Sequence, residues 1–225
     1  MKLAVFDFDG TLFLKDTLPF LLKLWNEFGY SKARLARVYA SLGALYILYK
    51  IGVHNAHRRE KGAKTVMRRF TRLFDGMSKE QVEEFFDRSA DVIIADLNAD
   101  VTEEITKTKA LGCKAVLLSG CFEYLLEAIA ARLGIDVVIG TRMNYRNGKA
   151  DTKSPLEVIY GNEKISRLRS SFDEGEIDWD LSFAYADSLS DLPVLELVGN
   201  PVVVNPDPEL KAIAEKSGWR LLISA

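Results

Sequence analysis

Four apolar residues, Leu3-Ala4-Val5-Phe6, run directly into Asp7-Phe8-Asp9-Gly10-Thr11-Leu12. A run that is apolar at every position reads as a parallel strand covered on both faces. Such a strand needs crossover connections and helices on either side, so this stretch points to an α/β sheet. In open sheets of that kind, chemistry gathers beyond the carboxyl ends of the strands. Asp7 and Asp9 stand there, and alternation along an extended backbone points them the same way, with Phe8 opposite. Two carboxylates that close need a cation or a shared proton. The pair is a candidate hard-metal site with one oxygen free to attack.

The pattern that follows changes character twice. Residues 15–95 hold no clear strand and repeat at helical steps: Leu18, Leu21, Leu22, Trp25 and Phe28, then Leu35, Val38, Leu42, Leu45 and Leu48. Ser78 with Gln81 three positions on marks a further helix start. From about Asp100 strands and helices alternate. Strands are expected at 114–118, 136–139, 181–186, 201–204 and 220–223, with helices at 102–111, 122–133, 163–171, 192–198 and 208–217. Asn147-Gly148 predicts a hairpin or flap within 141–150. The expected architecture is an α/β, Rossmann-like parallel sheet with helices on both faces, formed by residues 1–14 and 96–225. An all-helical cap, residues 15–95, is inserted after the first strand.

Charge is unevenly spread. The net charge is −2, but Lys32 to Arg72 carries eleven Lys/Arg against one acid, Glu60, which is +10 locally and leaves −12 elsewhere. That asymmetry suggests an anionic substrate or surface near the insert, or a solvated helical face. Cys113 and Cys121 form no disulfide framework and no zinc spacing, and a reducing compartment is expected. Charged residues in the first fifteen positions argue against a signal peptide, and Val38–Tyr49 is too short to span a bilayer; a cytoplasmic location is expected. His54 and His57 read as polar cap residues, and Trp25, Trp179 and Trp219 as packing residues.

Four sites fall at strand ends or helix starts: Asp7/Asp9, Ser119-Gly120, Lys164, and Asp187-Ser188-Leu189-Ser190-Asp191. Each alone is ordinary: a cap, a turn, a surface lysine. Together, carboxylates from two strand ends supply oxygen ligands for Mg²⁺. A hydroxyl, backbone N–H groups and a lysine supply donors for a phosphoryl group. A carboxylate beside them can take that group up covalently.

In this order and context the motifs resemble the haloacid dehalogenase superfamily of phosphohydrolases. Asp7-Phe8-Asp9-Gly10-Thr11-Leu12 is similar to its first motif, Leu117-Leu118-Ser119-Gly120 to the second, Lys164 to the third, and Tyr185 to Asp191 to the fourth. The helical insert between motifs one and two resembles the C1 cap of the phosphoserine phosphatase-like branch, subfamily IB. The resemblance implies Asp7 as nucleophile and Asp9 as general acid, then base. It implies Mg²⁺ held by Asp7, the backbone carbonyl of Asp9, Asp187 and, nearby, Asp191. Phosphate would be held by Ser119, Gly120 and Lys164, with the helix near Cys121 aiming its N-terminus at the anion. Asp16 stands where that branch has a glutamate contacting a substrate amino group; it is equally a cap for the first insert helix, with Thr17. Arg68 and Arg69 are candidates for a substrate carboxylate. Ser190 departs from the asparagine usual in the branch.

The expected function is hydrolysis of a small phosphorylated metabolite. Alternatives are a phospholipid headgroup phosphatase at an anionic lipid surface, a phosphotransferase to a non-water acceptor, and a non-catalytic binder of polyanions or membranes. No nucleic-acid partner is expected.

Overall fold

The computed structural model describes residues 1–51 and 56–224, and for 44–51, 56–60 and 174 the backbone alone. A six-stranded parallel sheet organises it. β1 (Lys2–Phe6) lies at its centre, with β2 (Cys113–Phe122) and β3 (Val137–Thr141) on one side. After the small hairpin of β4 (Tyr145–Arg146) and β5 (Lys149–Ala150) come β6 (Phe183–Ala186), β7 (Asn200–Val204) and the edge strand β8 (Arg220–Leu222), on the other side of β1. The spatial order is β3-β2-β1-β6-β7-β8. The chain therefore departs in both directions from β1, and the crevice where the order reverses lies at the carboxyl ends of β1 and its neighbours.

Alternation along the strands divides the core in two. Ala4, Phe6, Ala115, Leu117, Tyr185 and Val202 face one side. Leu3, Val5, Val116, Leu118, Ala184 and Val203 face the other. On the second face lie α7 (Asn162–Ser170), the short α8 (Leu192–Leu195) and α9 (Pro208–Ser217), through Leu168, Leu195 and Leu210. On the first lie α5 (Ala99–Ala110) and α6 (Glu123–Leu133). Their layer continues without a break into the helices between β1 and β2: α1 (Thr17–Glu27), α2 (Lys32–Ile51), α3 (Ala56–Phe70) and α4 (Lys79–Ile94). A run of aromatic rings joins the two regions. Trp25 meets Phe74 and Phe85, Phe74 meets Phe86, and Phe86 meets Phe122 at the end of β2, with centroids 5.1–5.8 Å apart.

The connections are fixed by polar side chains. Ser78 and Gln81 form the expected capping box at α4. Asn98 is buried and does three things. Its side-chain oxygen caps α5 through Asp100 N at 3.1 Å, its backbone N–H donates to Leu12 O at 2.9 Å, and its amide donates to Thr11 O at 3.2 Å. The two chain crossings between sheet and insert are thereby stitched together. Across the sheet, Glu104 of α5 accepts from Arg220 at 2.7 and 3.0 Å and from the Tyr185 hydroxyl at 2.9 Å. Asn147 and Gly148 take the positive φ values of a tight hairpin turn.

Several boundaries differ from expectation. β2 runs on to Phe122 through an irregularity after Leu118, and α5 begins at Ala99 because Asn98, not a residue near Thr102, caps it. The strand expected from Leu181 starts at Phe183, and the helix expected to Val198 stops at Leu195. Trp25 is buried, and Trp179 and Trp219 pack on the second core face. The apolar run Leu45–Tyr49 and the histidines His54 and His57 lie outside the residues whose side chains are described. Among the described residues no helix is long and apolar enough to cross a membrane.

Candidate active site

β1 delivers Asp7 to the crevice. Its backbone N–H still belongs to the sheet, donating to Tyr185 O at 2.9 Å, while its side chain is buried beyond the strand end. β6 lies beside β1 and delivers Asp187 in the same way; the turn after it carries Asp191. Asp7, Asp187 and Asp191 each offer an oxygen within 4.8 Å of the others. Lys164, in the first turn of α7, enters from the opposite core face and is itself buried. Its ammonium donates to Asp7 Oδ1 at 2.7 Å and to Asp191 Oδ1. Ser188 and Ser190 hold the other Asp191 oxygen, at 3.0 and 3.1 Å. Ser190 therefore works here as an anchor for a carboxylate.

Gly10 makes room for this cluster. Its φ is +76°, and a Cβ there would stand 2.1 Å from Asp187 Oδ2. Thr11 donates to Asp187 Oδ1 at 3.3 Å. The loop after β1 thus both admits and orients the carboxylate that β6 presents.

The electrostatics follow from burial and crowding. Burial and the charge of Asp191 raise Asp7 well above the ordinary carboxylate range, with Lys164 opposing. Burial, then Asp191, push Asp187 up to about 6. Burial alone would lower Lys164, but the two carboxylates it touches outweigh that and raise it. Three carboxylates facing one ammonium leave an excess of negative charge among oxygen donors only, a set that suits a hard divalent cation.

Asp9 plays a separate part. Its Oδ1 accepts from the backbone N–H of Thr17 at 2.6 Å and from the Thr17 hydroxyl, so it satisfies the amino end of α1 from eight residues away. Asp16 occupies the N-cap position of α1 but makes no side-chain cap bond there; its expected capping role passes to Asp9. Burial raises Asp9 to about 6, against the lowering effect of the two Thr17 bonds. The resemblance assigns Asp9 to the metal through its backbone carbonyl, and its side chain stands apart from the carboxylate cluster.

Ser119 and Gly120 lie where β2 becomes irregular. The buried Ser119 hydroxyl accepts from Cys121 N at 3.1 Å, which leaves its own proton free to donate. Gly120 passes so close to Ile159 that a Cβ would meet its carbonyl oxygen at 2.7 Å. α6 opens at Glu123, two residues beyond Cys121, and burial followed by the charge of Asp9 pushes the Cys121 thiol far up.

All the expected site residues, Asp16 included, line one cavity of about 500 Å³. Its far wall comes from the insert: Leu18 and Pro19 of α1, with Ala63, Val66 and Met67 of α3. Arg68 and Arg69 are the exception among the candidates. They do not line this cavity; they bond to Leu156 O and Ser41 O and line a different groove. Residues 63, 66 and 67 share one face of α3, and Arg68 and Arg69 are turned away from it. Thr11 and Ser188 stand in the motifs already named, and Thr17 beside Asp16, but the bonds they make to Asp187, Asp191 and Asp9 were not legible, because their partners are eight to 176 residues distant or lie within one tight turn.

Curated relatives share much of this chain. It is 30% identical over 184 residues to phosphoserine phosphatase SerB1 of Mycobacterium tuberculosis, a match covering 80% of this chain and 58% of SerB1. The chain therefore spans little more than half of that relative. It is 28% identical over 228 residues to the histidinol-phosphatase of Neisseria meningitidis serogroup C, covering 98% of both. Among solved structures, a Bordetella pertussis Tohama I protein of unknown function superposes with a TM-score of 0.78 at 24% identity, covering 98% and 97% of the two chains. A phosphoserine phosphatase in apo form superposes with a TM-score of 0.64 at 19% identity, covering 97% and 98%. At those identities the structures show a shared fold. The family profile of the haloacid dehalogenase-like hydrolases matches residues 4–196, a span that takes in every site residue from Asp7 to Asp191, and the chain belongs to that family.

Proposed function

We propose that this protein is a Mg²⁺-dependent phosphomonoester hydrolase acting through an aspartyl phosphate on a small phosphorylated metabolite. The observation that carries this reading is the convergence of Asp7, Asp9, Ser119, Lys164 and Asp187 on one cavity. Asp7, Asp187 and Asp191 would hold the metal, joined by the Asp9 carbonyl. Bound there, Mg²⁺ offsets phosphoryl charge. The Ser119 hydroxyl, the Gly120 N–H and the Lys164 ammonium receive the remaining phosphoryl oxygens. An Asp7 oxygen attacks phosphorus, the bond from phosphorus to the leaving oxygen breaks, and that oxygen takes the proton carried by Asp9. Asp9 then takes a proton from the water that attacks phosphorus. The bond to Asp7 breaks, orthophosphate leaves, and the Asp7 carboxylate is restored. Burial suits Asp9 to both roles, since a value of about 6 supplies both protonation states near neutrality.

Residues 15–95 serve as the cap over a core of 1–14 and 96–225; their Leu18, Pro19 and Met67 face the chemistry and would exclude water. Asp16, exposed at the cavity wall, suits an ammonium on the substrate. The substrates in the relatives' names, phosphoserine and histidinol phosphate, both carry one. The lipid alternative draws no support here: the apolar segment it rests on lies outside the described side chains, and the relatives' names indicate small phosphorylated substrates. Hydrolysis of an aryl phosphate that EDTA abolishes and Mg²⁺ restores is the expected result. Full activity in Asp7→Asn would sink the assignment of the nucleophile. A screen of phosphorylated metabolites ranked by kcat/KM then identifies the substrate.

A further inference from the structure

We propose that the groove between α3 and the segment 143–156 binds the phosphate groups of a small polyphosphate, at a site separate from the catalytic cavity. The groove has a volume of about 380 Å³, with Thr65, Arg68, Arg69 and Arg72 on one wall and Lys153 and Leu156 on the other. Thr65, Arg68 and Arg69 share one face of α3 by the i, i+3, i+4 pattern, and Arg72 follows them in the 3-10 turn Thr71–Phe74. That face is opposite the one that carries Ala63, Val66 and Met67 to the catalytic cavity.

The groove has cationic capacity that the fold does not use. Arg68 makes one long bond to Leu156 O at 3.4 Å, and Arg69 reaches Ser41 O; both acceptors are neutral carbonyls. Among the described residues, no carboxylate lies within ion-pair distance of Arg68, Arg69, Arg72 or Lys153. Asp151, the acid lining the groove, is spent on its own turn. Its carboxylate accepts from Lys153 N at 3.0 Å, Ser154 N at 3.1 Å and the Ser154 hydroxyl at 2.7 Å. The neighbouring hydroxyls are also engaged: Thr65 donates to Lys61 O, Thr71 to Arg68 O and Thr152 to Asp75. Three guanidinium forks and an ammonium remain, spread over both walls of a concavity, and guanidinium forks match phosphate oxygens. Cations on both walls call for an anion with charge at more than one place, which a polyphosphate supplies. The source is either an inorganic chain or the phosphates of a nucleotide.

Such a ligand would clamp α3 against the segment that continues, two residues past Leu156, into Val158 and Ile159 of the catalytic cavity. The test is calorimetric titration of the full chain, with Mg²⁺ in excess, using inorganic tripolyphosphate and, separately, ATP. Arg72→Gln with Lys153→Gln is the variant of choice, because both side chains are exposed. Binding of tripolyphosphate that weakens roughly tenfold or more in the variant is expected, as two charge-assisted contacts are lost. Equal affinity for the two probes would assign recognition to the phosphates alone, and tighter ATP binding would add the nucleoside. Unchanged affinity in the variant, or competitive inhibition of aryl phosphate hydrolysis with the same constant in both proteins, would overturn the proposal.

Discussion

Gly10→Ala tests the carboxylate cluster without touching a carboxylate. At φ +76° an alanine costs about 1 kcal/mol of backbone strain. The larger effect is steric. The added Cβ would stand 2.1 Å from Asp187 Oδ2 and 2.5 Å from its Cγ. No long flexible side chain can yield there, and the other Asp187 oxygen is held by Thr11 at 3.3 Å. Asp187 must therefore rotate out of the cluster, leaving two carboxylates against Lys164 in place of three. With Asp187 as a proposed ligand, displacing it in this way should weaken Mg²⁺ binding by roughly 10- to 100-fold, or about 1.4–2.7 kcal/mol. The assay is aryl phosphate hydrolysis against Mg²⁺ concentration, with thermal melting to confirm the fold. The half-saturating Mg²⁺ should rise by that factor, and much of the rate should return at high metal. A lowered plateau with an unchanged half-saturation point would refute Asp187 as a ligand.

Three further substitutions probe separate parts of the design. Lys164→Met removes the counter-ion of Asp7 and Asp191, so metal-free protein should lose about 3 kcal/mol, the usual cost of an uncompensated buried charge; Mg²⁺ should then raise its melting temperature more than it does for the wild type, and equal shifts would contradict this. Thr17→Val deletes one of two bonds that lower Asp9, so Asp9 should rise above about 6. On the proposed mechanism Asp9 gives its proton in the first step, so the alkaline limb of kcat/KM should move upward with it; a fixed limb would remove Asp9 from that role. Glu104→Gln addresses stability: hydrogen bonds from Arg220, opposed by burial and joined by Tyr185, hold Glu104 at about 2 against an ordinary 4.5. A depressed carboxylate stabilises above its unfolded value and loses that stabilisation as pH falls toward its folded one. With Arg220 half exposed, about 2 kcal/mol is expected at neutral pH, shrinking between pH 4.5 and 2; a urea-unfolding gap independent of pH would exclude the ion pair as its origin.

Legibility in the sequence followed the range of each interaction. β1, β2, β6 and β7 could be read because an apolar run is a local signal, and chemistry at their ends follows from sheet topology. Lys164 could not be read from its neighbourhood. It sits in a polar helix turn, and only the order of motifs marked it; its burial between Asp7 and Asp191 comes from contacts 157 and 27 residues away. Asn98 was missed although it caps α5, because the cap lies four residues ahead of where the periodicity becomes visible. Asp16 carries two readings from its position, a helix cap and a contact for a substrate amino group; the structure gives the capping to Asp9 and leaves Asp16 on the cavity wall.

α3 shows most clearly why the rest was hidden. Its sequence states that a basic helix lies in the insert but not how the helix is rotated about its axis. One residue turns the direction by about 100°, so Met67 and Arg68 are adjacent in the chain and face different cavities. The resemblance, which expects a cap arginine for a substrate carboxylate, together with the local charge, points Arg68 and Arg69 toward the substrate. Packing sets them elsewhere, because Met67 and Phe70 are the residues that α3 buries in the shared core. The cavity consequently has an apolar wall on its α3 side, and Arg68 and Arg69 are left to a second groove. On the proposed function, chemistry belongs to the sheet, where strand ends can be read, and discrimination to the face of α3 that the aromatic core selects.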